Sequence, residues 1–130
     1  MRPTMLASLV VAASLSAAAA GSAHAQQVEG DTLRTLVEGK TIFLETSFGE
    51  FPLVYNADGS VTGDGTELGL ARYFAPRETG QWWIEGQNLC QQFPTWYDGE
   101  TSCFVIEKTS ETTINWQRDD GQAGTARIEG

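Results

Sequence analysis

Histidine is all but missing from this chain, which has one, at position 24. It falls in a stretch built like a secretory signal peptide: Arg2, an apolar run from Met5 to Ala20, then small residues ending at Ala25. The run covers 16 residues, short of the roughly 20 that cross a bilayer, and no second apolar run follows. Cleavage after Ala25 is therefore expected, with residues 1–25 as signal peptide and 26–130 as the mature chain. No transmembrane segment is expected in that chain. Gln26 would become its first residue, and no cysteine stands near it to carry a lipid, so the periplasm or the secreted fraction is the expected location. Cleavage also removes both methionines. A mature chain without histidine lacks the commonest general base, metal ligand and triad member.

Positive charge is scarce too. Arg2 leaves with the leader, so 8 basic residues become 7 against 17 acidic ones, a net charge of −10. Nucleic acid and anionic membrane surfaces would be repelled, and neither is expected as a partner. Two cysteines are present, Cys90 and Cys103. An even number in an exported chain favours a disulfide between them; a metal or redox pair would need further thiols or histidines, or a C-x-x-C spacing. A domain of about 100 residues buries roughly 65% of its unfolded surface, enough for one core with little margin. Closing the short loop between Cys90 and Cys103 adds roughly 3 kcal/mol in the chain-entropy treatment.

What is present is mainly a period of two. Asp31 to Gly39 is the one helical signal after the leader: Asp31 can cap, Leu33, Leu36 and Val37 share a face, and Gly39 can end it. The expected helix covers about 31–38. From Lys40 onward the alternation and frequent turn signals, several of them Asp-Gly, predict strands at 40–46, 51–56, 60–63, 68–74, 80–85, 88–93, 102–108, 112–118 and 124–128. The expected fold is a single mainly β domain: an antiparallel meander forming a small barrel or a two-sheet sandwich, with a short N-terminal helix.

Chemistry-bearing constellations are thin. Asn56 to Glu67 superficially matches a calcium loop, but Val61 occupies the position that needs Gly, so a hairpin at Asp58-Gly59 is the expected structure and no metal site is assigned. Ser47, Ser60, Ser102 and Ser110 lie outside any G-x-S-x-G and have no histidine to activate them. Glu45, Glu50, Glu85, Glu100 and Glu107 leave a glycosidase-like carboxylate pair as the sole enzymatic option, with no spacing that singles one out. No cofactor is expected. The aromatics Trp82, Trp83, Phe93, Trp96, Tyr97, Phe104 and Trp116 gather in the C-terminal half. Alternation puts Trp82 with Ile84 in the core and Trp83 with Gln81 and Glu85 on the other face. Trp83 then either packs beneath the helix or a loop, or lines a ligand surface. Trp83, Trp96 and Tyr97 are the candidate surface.

Gly80, Trp82, Gly86, Leu89, Cys90, Trp96, Cys103 and Gly121 form the pattern G-x-W-x-x-x-G-x-x-L-C, then W, then C, with a closing D-G. Over residues 39–128 the chain resembles small exported alphaproteobacterial proteins known as a domain of unknown function. The resemblance implies a periplasmic β protein with a cysteine pair and names no activity, catalytic residue or ligand. The expected function is a non-enzymatic periplasmic binding or envelope-associated protein whose partner is a small molecule or a basic protein. The alternative is an acidic β-barrel inhibitor of a cationic hydrolase such as lysozyme, steered by its charge. A carboxylate-dependent hydrolase ranks third.

Overall fold

Residues 25–68 and 76–130 are described by the computed structural model. The expected signal peptide, apart from Ala25, and nearly all of the expected strand 68–74 lie outside them. Alternation from Lys40 onward produces antiparallel strands: β2 (Lys40–Thr46), β3 (Gly49–Tyr55), β4 (Ser60–Asp64), β5 (Arg77–Glu85), β6 (Asn88–Gln92), β7 (Thr101–Lys108), β8 (Thr113–Arg118) and β9 (Ala123–Glu129). Each pairs with the next, and β9 pairs back onto β2, Thr41 meeting Glu129 and Leu44 meeting Ala126. The meander is thus a closed eight-stranded barrel. Closure satisfies the backbone groups that the outer strands of a sandwich leave unpaired.

Before the barrel come β1 (Gln26–Val28) and α1 (Gly30–Val37). β1 was not expected from sequence. It pairs with residues 106–108 of β7, whose pairing with β6 ends at Phe104, so three residues cover a vacated edge. The helix begins one residue before its expected start. Its N-cap is Glu29, not Asp31, and no side chain makes the cap bond; Asp31 sits in the first turn, where its charge suits the helix dipole. Gly39 ends the helix as expected, with φ +74 and its N–H donated to the Tyr55 carbonyl.

Inward residues follow the pleat: Ile42 and Leu44, Leu53 and Tyr55, Val61, Trp82 and Ile84, Leu89 and Phe93, Ile106, Ile114, Ala126 and Ile128 form the core or pack on it. α1 plugs one end, burying Leu33 and Val37 completely. Beneath it Trp82, 4% exposed, donates its indole N–H to the Asn56 carbonyl at 2.8 Å, while the Arg34 guanidinium lies 5.4 Å from its ring centre. The other end carries the β2–β3 turn, residues 65–68 after β4, the β6–β7 strap (93–100) and the β8–β9 turn. A disulfide joins Cys90 and Cys103, direct partners on β6 and β7.

Candidate functional site

The barrel end opposite the helix opens into a cavity of about 610 Å³, lined mostly by Leu44, Phe51, Leu53, Phe93, Trp96 and Tyr97. It shares Leu44, Thr46, Leu53, Gln91 and Tyr97 with a deeper cavity of about 190 Å³ reaching Ile106, Ile114 and Trp116. Strand parity explains the lining, because each of these barrel residues lies on the inward register of its strand.

Trp96 enters the mouth because Gly63 leaves room. A methyl group at position 63 would stand 2.5 Å from the Trp96 ring and 3.0 Å from Leu53. The ring also packs on Phe93 and Phe51, with centroids 4.8 and 5.7 Å away. The strap that carries it is anchored by Glu78 of β5, whose carboxylate accepts from the backbone N–H of Thr95 (3.1 Å), that of Trp96 (2.9 Å) and the Thr95 hydroxyl. Burial acts to raise the Glu78 pKa, but these hydrogen bonds outweigh it and hold the carboxyl below its ordinary value. Tyr97 to Glu100 is one of the Asp-Gly turn signals in the sequence. The turn is there: the Glu100 N–H donates to the Tyr97 carbonyl at 3.0 Å, with Asp98 and Gly99 at φ +57 and +70; what the signal did not carry is Tyr97 itself at φ +57, which folds the strap over the rim. Tyr97 stays 46% exposed, with the Arg118 guanidinium 4.5 Å from its ring centre. Arg118 in turn is paired with Asp120, whose hydrogen bond raises the Arg118 pKa and lowers that of Asp120.

The chief polar group in the interior is one that sequence reasoning passed over. Gln91, 3% exposed, lines both cavities and accepts the Tyr55 hydroxyl at Oε1, 2.7 Å away. Burial pushes the Tyr55 pKa far above that of an ordinary phenol, with a smaller contribution from Tyr97, so the hydroxyl remains a donor. The available signal was parity: Gln91 alternates with Leu89 and Phe93, both core. Trp116 Nε1 is a buried donor without an acceptor among the described residues; its ring edge lies against Gly124.

The three candidate surface residues do not share one surface. Trp96 and Tyr97 line the mouth, whereas Trp83 lies half-buried on the outer face of β5, beside Cys90 in register. Trp82 takes the inward position, as alternation predicts. Near Trp83, Glu85, Cys90 and Cys103 form a cluster of ligand-type atoms, but both sulfurs belong to the disulfide and offer no thiolate.

The acidic segment 56–67 forms a turn and β4, as the hairpin reading expects. Asp58 Oδ1 accepts from the Ser60 N–H and hydroxyl at 2.8 and 2.7 Å, and Asp64 Oδ1 accepts from the Thr66 N–H at 2.9 Å. These carboxylates sit at opposite ends of β4, each turned into its own bend. None of Glu45, Glu50, Glu85, Glu100 and Glu107 lines either cavity. Glu50 accepts two bonds from Arg127, which hold its carboxyl below the usual range, the reverse of what a general acid needs. Compared with family models, with curated proteins and with solved structures, the chain finds no match.

Proposed function

We propose that this is a non-enzymatic binding protein of the exported compartment, holding a small, mainly apolar molecule in the barrel mouth. One observation carries the reading: the barrel is plugged by α1 at one end and opens at the other into an aromatic-lined cavity of about 610 Å³. Apolar concavities of this size with a few placed polar groups suit small ligands. Among the described residues the one hydroxyl of the wall bonded to a carboxylate is that of Thr95, and its partner Glu78 is taken up by the strap's backbone N–H groups and held below its ordinary pKa, which supports binding over turnover. The resemblance to small exported proteins agrees with this placement and adds no ligand.

The test is titration of the mature chain with N-phenyl-1-naphthylamine, whose fluorescence rises in apolar surroundings. Saturable binding is expected, weakened at least tenfold by Trp96→Ala and left unchanged by Trp83→Ala. A flat titration, or equal weakening by both substitutions, would overturn the reading.

A further inference from the structure

Gln91 is fixed in one orientation. The Tyr55 hydroxyl donates to its Oε1 at 2.7 Å, and turning the amide over would leave the Tyr55 hydrogen without an acceptor in an apolar interior. The amide Nε2 therefore keeps both hydrogens, and among the described residues it meets no acceptor. Unlike Trp116 Nε1, it is not sealed off: on a side chain 3% exposed it faces the cavity, where whatever fills that space, water or guest, accepts from it. Trp116 Nε1 cannot take that role for a guest, because it is enclosed against Gly124. Gln91 lines both cavities.

Resting on the binding reading above, we propose that the ligand is a neutral, elongated apolar molecule with one hydrogen-bond acceptor, of the ketone or ester type, set against Gln91 Nε2. Its apolar part lies along Leu44, Phe51, Phe93 and Trp96. A carboxylate is disfavoured. One neutral amide does not replace the hydration of an ionised group in this interior, Arg118 is engaged by Asp120 and stacked on Tyr97, and the mouth itself carries Asp98.

The probes are 2-octanone, octane and octanoate at pH 8, each displacing N-phenyl-1-naphthylamine from the mature protein. The affinity ratio of 2-octanone to octane is the readout, compared between wild type and Gln91→Leu so that the better hydration of the ketone cancels. It should fall about tenfold, the selectivity one hydrogen bond sustains. A second variant, Tyr55→Phe/Gln91→Leu, removes both ends of the buried hydrogen bond and should show the same fall if the single variant folds poorly. Octanoate should be the weakest of the three. An unchanged ratio in both variants, or octanoate as the tightest ligand, overturns the inference while leaving the binding reading in place. Displacement by none of the three also overturns the inference, whereas the binding reading falls only if N-phenyl-1-naphthylamine itself does not bind.

Discussion

Trp82 and Trp83 are chemically alike, adjacent, and opposite in consequence. Trp82 packs edge-on against Tyr55 with ring centroids 5.8 Å apart, bonds Asn56 and lies under Arg34 of the helix, so it joins the plug to the wall. Truncating it leaves a large cavity, and Trp82→Ala should lose about 3–5 kcal/mol. Trp83→Ala, on the outer face, should lose about 1 kcal/mol. Equilibrium denaturation of the two variants checks both, and equal losses would refute the assignment of faces. This contrast was legible from alternation alone, because strand 77–85 pairs with both neighbours without a bulge. Gly80 was less legible. It lies in the middle of a strand with ordinary backbone angles, yet a side chain there would collide with the Gln92 carbonyl, a constraint that appears only once β6 is placed. Gln91 was readable by parity, but no local pattern marks a glutamine as a buried anchor.

Among the elements, strands with an inward apolar face and an outward polar one announced themselves: the first expected strand, 40–46, matches β2 to the residue. β1 did not, since "QQV" has no alternation and its conformation is imposed by the spare edge of β7. In the strap the Asp-Gly turn at Asp98-Gly99 was legible, but Tyr97 before it also stands at positive φ, at a cost of the order of 1–3 kcal/mol that no local signal marks. Its main anchor, Glu78, titrates. A carboxyl whose folded pKa lies below its unfolded value of 4.5 stabilises above that value and loses the contribution as pH falls through the folded pKa. Probe affinity should therefore decline below about pH 4.5, ahead of loss of β-sheet circular dichroism, and Glu78→Gln should flatten that decline. Identical pH profiles for both proteins would show that the strap does not depend on this anchor.

At the scale of the whole molecule, the disulfide adds covalent support to a domain with little surplus core. Cys90→Ser/Cys103→Ser should fold with stability reduced by about 2–4 kcal/mol, and the wild-type protein, denatured but not reduced, should take up no alkylating reagent in an intact-mass measurement. Uptake without reduction would contradict the pairing. Whether the meander closed on itself was beyond sequence reasoning, because barrel and sandwich share the same local alternation and differ in one pairing, β9 onto β2. That pairing has a kinetic consequence. Every other barrel contact between strands joins sequence neighbours and can zip hairpin by hairpin, whereas Thr41 must find Glu129 across nearly the whole described chain. Until it does, β2 and β9 are bare edges of an open sheet, and a second unfinished chain can offer the same edges in trans. Refolding yield should fall with protein concentration, and the closed barrel, once formed, presents neither edge to another copy.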